Sequence, residues 1–276
     1  MPQALSKSST THQEKHGSNS KNYTSKSCCN NCSSFFYSTS NPMFRCKQFN
    51  INDNGATMKI GNDAIMLGAI AQPSLLPQHI LDIGTGCGIL ALMMAQRFPI
   101  ANITAIDIDR QTIQVAAANF ENSPWSNRLY ALNVPLQDFA TKSDRQYDLI
   151  ISNPPYFSNS LRNNDPRKAL ARHDDNLTLQ QLFKASSHLL APDGTLAIIT
   201  PSSDAAKAIT EAQQRQLQCR LRTDICNHLS DPPKRSVLQF IHSTSPTEPT
   251  ITSLPLRNPD NTYSDEYKTL TQPFLL

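Results

Sequence analysis

At 276 residues, with 38% hydrophobic and 17% charged side chains, the chain has the composition of one sizeable folded domain plus appendages. Its longest apolar runs are about seven residues, as in Ile89–Ala95, against the roughly twenty needed to cross a bilayer, which excludes a membrane-spanning helix. The formal net charge of +3 is uneven: residues 1–49 hold six Lys/Arg against Glu14 alone, or +5, leaving −2 for the other 227. A basic tail suits a polyanion such as RNA, while the body is not a basic nucleic-acid module.

Residues 1–42 are rich in Ser, Thr, Asn and Lys, with no apolar periodicity before Phe35-Phe36-Tyr37, and read as a disordered extension. Met1–Lys15 has no apolar core, so it does not read as a secretory signal, and a cytoplasmic setting is expected. Cys29-Asn-Asn-Cys32 has zinc-like spacing, with Cys28 and Cys46 as conceivable further ligands. No second such pair or close His pair follows. Free thiols in a reducing compartment are therefore the reading adopted, and no metal is expected.

A single domain is expected over 43–276. Phe44–Ile60 reads as a short hairpin, and Gly61–Ala71 as a helix with Asn62 as its N-cap. A strand–helix alternation follows. Strands are predicted at Ile80–Ile83, Ile103–Ile108, Leu129–Val134, Tyr147–Ser152 and Thr195–Thr200. Helices are predicted at Gly88–Arg97, Gln111–Phe120, Leu179–Leu190 and Asp204–Arg215. Short, continuously apolar strands are what a parallel sheet covered on both faces requires, and the alternation implies βαβ units. Leu217–Cys226 and Ser236–His242 follow without a helix between them, which suggests an antiparallel pair at one edge. The expected fold class is α/β: a doubly wound, Rossmann-like, mostly parallel sheet of seven strands with an antiparallel edge strand.

Two motifs carry chemistry. In Leu81-Asp82-Ile83-Gly84-Thr85-Gly86-Cys87-Gly88, a strand ends and a helix opens. The glycines let the backbone turn sharply and approach a ligand without Cβ interference. Asp82 precedes the loop, and Asp107 ends the next strand nineteen residues beyond Gly88, where a carboxylate can accept from both ribose hydroxyls. The GxGxG spacing after an acid, in place of GxGxxG, resembles the cofactor loop of class I S-adenosylmethionine-dependent methyltransferases. Asp109 competes for the ribose role but is better placed to cap the following helix, so Asp107 is favoured. Asn133 ends the third strand, where such enzymes often place an Asp or Asn against the cofactor's adenine; a turn asparagine is the alternative.

The second motif, Asn153-Pro154-Pro155-Tyr156, directly follows the fourth strand, at the carboxyl edge where open α/β sheets bind ligands. It resembles the (D/N/S)PP(Y/F/W) loop of methyltransferases acting on amino groups conjugated to a ring or carbonyl. The lone pair of adenine's exocyclic nitrogen is delocalised, so it attacks a sulfonium methyl poorly. The Asn153 side-chain oxygen and the Pro154 carbonyl can each accept one N–H, favouring a pyramidal nitrogen and stabilising the charge that develops on it. Pro154 and Pro155 stiffen the frame. Tyr156 supplies a face on which the base stacks. Arg172-His173 reads as a solvated pair, with phosphate or substrate contact as the alternative.

With these motifs in place, the span from Phe44 to Leu276 resembles the bacterial tRNA1(Val) adenine-N6 methyltransferase family. Further matching segments are Lys47-Gln48-Phe49, Met58-Lys59-Ile60-Gly61-Asn62-Asp63, Leu67-Gly68-Ala69 and Ser123-Pro124-Trp125. Pro259-Asp260-Asn261, Tyr263-Ser264, Tyr267 and Leu270-Thr271-Gln272 extend the likeness to the end. Asn62 stands where the family has Thr, Asn133 where it has Asp, and residues 1–42 have no counterpart. The resemblance implies S-adenosylmethionine as cofactor, a tRNA partner and an adenine of the valine-tRNA anticodon loop as target; a monomer is expected. Glutamine N5-methyltransferases of release factors also use this second motif, but they carry a helical domain before the cofactor loop. Only about forty structured residues precede Asp82 here. Guanine-N2 methyltransferases of ribosomal RNA often have Phe in place of Tyr156. A non-catalytic RNA- or nucleotide-binding protein is the alternative from another class, since fold alone does not imply function.

Overall fold

In the computed structural model, which describes residues 43–154 and 177–276, the short apolar runs become strands and the longer amphipathic stretches helices. The amino-terminal strands β1 (Met43–Arg45) and β2 (Asn50–Asn52) pair as the expected hairpin. Helix α1 (Asn62–Ile70) follows. The alternation then runs β3 (His79–Ile83), α2 (Ile89–Arg97), β4 (Asn102–Asp107), α3 (Arg110–Glu121), β5 (Leu129–Asn133), α4 (Leu136–Lys142) and β6 (Tyr147–Ser152). Beyond residue 177 come α5 (Leu179–Leu189), β7 (Leu190–Pro201), α6 (Ala205–Gln213), β8 (Leu217–Cys226), β9 (Arg235–His242), β10 (Thr250–Pro255) and α7 (Asp265–Thr271).

The main sheet has eight strands in the order β10-β8-β9-β7-β6-β3-β4-β5, with β9 antiparallel to both neighbours. The doubly wound architecture is as expected, but the count and the edge differ. Strand β10 pairs in parallel with β8 and moves the antiparallel strand two places in from the edge. Its sequence, Thr-Ile-Thr-Ser-Leu-Pro, is mostly exposed and ends in proline, the character of an edge strand that carries no apolar signal.

Alternation along the strands divides the core. Leu149 and Ile151 of β6 face one side with Ala197, Ile199 and Val237, covered by α1, α2 and α3. Ile150 faces the other with Leu196, Ile198 and Leu238, covered by α4, α5 and α6. Helix α2 is buried continuously from Ile89 to Ala95, which is why that stretch is apolar all round. At its end the Arg128 guanidinium donates to Ala95 O, to Phe98 O at 3.1 Å and, in the connection to β4, to Ala101 O at 2.8 Å. Helix α5 starts with a reciprocal Thr178–Gln181 capping box. Asn62 is not the cap of α1: extended Gly61 holds that place with no side-chain bond, and Asn62 is already helical. Among the described residues no helix is long and apolar enough to cross a membrane.

Candidate active site

The strand order reverses at β3, with β4 and β5 on one side and β6 on the other. In an open α/β sheet this switch point leaves a crevice outside the carboxyl ends of the strands. The ends that meet there are those of β3 and β6, which carry the two motifs. Ile83 and Ser152 are register partners, and the buried Ser152 hydroxyl donates to Ile83 O at 2.9 Å, tying the two ends together. Half-buried Asn153 and buried Pro154 follow at once. Pro155, Tyr156, Arg172 and His173 lie outside the described residues, as do Cys28, Cys29 and Cys32.

The glycine loop turns over the end of β4, with Gly84 and Thr85 amides donating to Ile106 O at 2.9 and 3.0 Å. Gly84 and Gly86 have φ of +70° and +58°, and a Cβ on either would meet no atom within 4 Å. The outer face of the loop is thus open to a ligand. Gly88 is different: at φ +90° its Cβ would sit 2.5 Å from Phe120 of α3, so the loop presses on that ring.

Asp82 is fully buried. Its Oδ2 accepts from Thr85 Oγ1 at 2.6 Å and from the Ala91 amide at 3.2 Å. Its Oδ1 has no hydrogen-bond partner among the described residues. Burial pushes this carboxyl up to about 7, against the opposing pull of those two bonds. Asp107 is also raised by burial; its Oδ2 accepts from the Gly86 amide and its Oδ1 from the Asp109 amide, both at 3.0 Å. Asp109 caps α3 as expected, accepting from the Thr112 amide at 2.7 Å. Among the described residues no Lys or Arg forms an ion pair with any of the three.

A pH dependence of the ligand-free protein follows. The unfolded chain releases the Asp82 proton near the ordinary 3.8, the native chain only near about 7. The native state therefore holds more protons across that window, and stability falls as pH rises through it. Asp82→Asn, neutral throughout, is expected to gain in melting temperature relative to wild type between pH 5 and 8. A pH-independent gap between the two melting curves would show that Asp82 is not the group responsible.

Asn133 lies opposite Asp107 in the β4–β5 register. Its Nδ2 donates to Asp107 O at 3.0 Å and Ile108 O at 2.8 Å, so the amide clamps the turn after β4. Sequence reasoning missed the neighbours that hold these groups: Ser152, Thr85, and Asn119 on α3. Ser152 and Asn119 are ordinary polar residues without a motif of their own, and Thr85 fills a variable place between the glycines of the loop. Cys46, weighed above as a zinc ligand, is instead packed in the core, its thiol pushed up to about 12 by burial. Among the described residues no three His, Cys, Asp or Glu side chains gather where a metal could be held.

Residues 62–221 match the family described as Methyltransferase small domain. The tRNA1(Val) (adenine(37)-N6)-methyltransferase of Christiangramia forsetii is 38% identical, the match covering 86% of this chain and 99% of the relative. The enzyme of the same name from Bacteroides fragilis is 39% identical, again over 86% and 99%. A solved structure of a predicted O-methyltransferase from Agrobacterium tumefaciens superposes with a TM-score of 0.62 at 16% identity, covering 76% of this chain and 96% of that one. At that identity the superposition speaks for the fold, which is the class I methyltransferase fold. Similar to these relatives over nearly their whole length, and with the glycine loop and Asn153-Pro154 brought to one crevice, the chain belongs to the tRNA1(Val) (adenine(37)-N6)-methyltransferase family within the methyltransferase small-domain group.

Proposed function

We propose that this protein transfers a methyl group from S-adenosylmethionine to N6 of an adenine in the anticodon loop of a valine tRNA, in the cytoplasm. The observation that carries this reading is the extent of the similarity, 99% of the length of relatives so named, which takes in both motifs and the non-catalytic segments around them. The crevice suits the cofactor. Its glycine loop is open on the outer face, a carboxylate stands at the end of β4, and the acids there have no Lys or Arg ion pair among the described residues. A ligand that brings ribose hydroxyl donors and positive charge complements such a site.

When bound, the cofactor supplies a methyl group made electrophilic by its sulfonium. The rest falls to the chain. Asp82, Gly84, Gly86 and Gly88 shape the seat, Asp107 takes the ribose hydroxyls, and Asn133 borders the adenine with its Oδ1, since its amide hydrogens are spent on the turn. Asn153 Oδ1 and Pro154 O accept the two N–H bonds of the target amine, turning its lone pair outward and stabilising the charge that develops there. The Ser152–Ile83 bond keeps these acceptors at a fixed distance from the glycine loop. Tyr156 provides the stacking face for the base, and Pro155 stiffens its approach.

The experiment is direct: incubate the protein with unmodified total tRNA and labelled cofactor, digest, and identify the product by mass spectrometry. N6-methyladenosine confined to valine tRNA is expected. N2-methylguanosine in a parallel incubation with unmodified ribosomal RNA, or label on a glutamine of added release factor, with the tRNA left unmethylated, would replace this reading with one of its rivals.

A further inference from the structure

Helix α3 turns Ile113, Ala116 and Phe120 into the core, and on the same buried side lies Asn119, only 6% exposed. A primary amide in such a place must find its partners within the protein. Asn119 finds three, on two other segments. Its Oδ1 accepts the Asn52 amide at 3.0 Å, and its Nδ2 donates to Asn52 O at 2.8 Å and to Cys87 O at 2.8 Å. One side chain thus holds both the last peptide of the glycine loop before Gly88 and the end of the amino-terminal hairpin.

The segment after Asn52 is built to stay where that bond puts it. Buried Asp53 accepts from Lys59 Nζ at 2.9 Å and from the Ile60 amide at 3.2 Å, closing residues 53–60 on themselves. The Thr57 amide donates to Thr112 Oγ1 of α3 at 3.1 Å. A Cβ on Gly55 would come within 3.3 Å of Gln111 Nε2, so this segment too rests on α3. Phe120, next to Asn119, limits the approach of Gly88. Helix α3 is therefore a common base for the glycine loop, for residues 52–60 and, through its Asp109 cap, for the Asp107 carboxylate.

We propose that Asn119 is a positioning residue for the cofactor, tying the glycine loop to α3 and to residues 52–60 so that the loop keeps its place over the end of β4. The proposal rests on the cofactor reading given above. Loss of the Asn119 amide frees Cys87 O and Asn52 together and leaves the transfer groups Asn153 and Pro154 untouched. Its signature is a change in cofactor binding without a matching change in turnover. A buried asparagine that served stability alone would lower the active fraction, and so kcat, and leave KM where it was.

The test compares wild type, Asn119→Ala and Arg128→Lys. The last weakens the cap at the far end of α2, away from the glycine loop. Kd for S-adenosylhomocysteine is read by calorimetry, KM and kcat with unmodified tRNA, and tryptophan emission without ligand. Trp125, the single tryptophan, meets the hairpin's Phe49 edge-on at 5.8 Å between ring centroids and so reports the hairpin's seating. For Asn119→Ala, Kd and KM are expected to rise roughly ten-fold or more and kcat to stay within about three-fold, the scale of a displaced binding group; emission shifts to the red. Arg128→Lys is expected to lower the melting temperature and to leave KM unchanged. Should Asn119→Ala fail to fold, Thr112→Val removes only the Thr57 contact and is expected to raise KM by about three-fold. A folded Asn119→Ala, or Thr112→Val in its place, that binds like wild type overturns the proposal. So does an Arg128→Lys protein that loses as much affinity. Wild type that binds no cofactor would instead sink the functional reading.

Discussion

Asn153→Ala is expected to slow methyl transfer by roughly 100-fold or more, the effect of removing one preorganised polar group from a transition state. The side-chain oxygen is lost, one N–H of the target amine has no acceptor, and the lone pair returns to conjugation with the ring. Cofactor affinity should change much less, because the glycine loop and Asp107 sit on the ends of β3 and β4, not β6. Tyr156→Ala should act differently, through base positioning worth about 1–3 kcal/mol, whereas Tyr156→Phe should retain much of the activity because the ring face is what serves. Single-turnover methylation of unmodified tRNA by the three variants beside wild type separates these effects. An Asn153→Ala enzyme as fast as wild type would remove the acceptor mechanism altogether. The target base must leave any stack to reach the crevice, so a loop adenine is a cheaper substrate than one inside a duplex.

Asp107→Ala is expected to weaken S-adenosylmethionine binding by about 1.5–3 kcal/mol, the range for hydrogen bonds to a charged group, or roughly 10- to 150-fold in Kd. The carboxylate also accepts from the Gly86 and Asp109 amides, so the variant loosens the loop as well as losing the ribose acceptor. Asp107→Asn keeps an acceptor and should fall between the two. Asp109→Ala is the decisive companion. Its carboxylate caps α3, and its loss should cost about 1 kcal/mol of stability with little change in affinity. Calorimetry that found Asp109→Ala abolishing binding and Asp107→Ala leaving it intact would exchange the two roles.

Much of this protein is written in local pattern. Short apolar runs such as Leu149–Ile151 and Leu196–Ile199 suit strands covered on both faces, and they lie inside β6 and β7. Asp109 before an amphipathic stretch marks a helix start because its side chain meets a free backbone amide close by. The glycine loop and Asn153-Pro154 were equally legible, since their backbone demands and acceptor chemistry belong to a few consecutive residues. What local pattern determined, then, is the fold class, the two motifs and the edge of the sheet on which they lie.

Tertiary structure decided the rest, because the partners are distant in sequence and unremarkable in type. Strand β10 is polar and becomes a strand only by pairing with β8, a neighbour twenty-odd residues back that supplies its hydrogen bonds. Gly61 displaces Asn62 as cap because Asn62 has already entered the helix, where its neighbour Asp63 pairs with Arg235, 172 residues on. Ser152 binds Ile83 across 69 residues and Asn119 binds Asn52 across 67, bonds that exist only once the sheet has ordered β3 beside β6 and set α3 against the hairpin. Which residues meet the ligand is local chemistry; the spacing at which they are held is set by buried polar groups whose partners no stretch of sequence can name, since a hydrogen bond is chosen by distance in the fold.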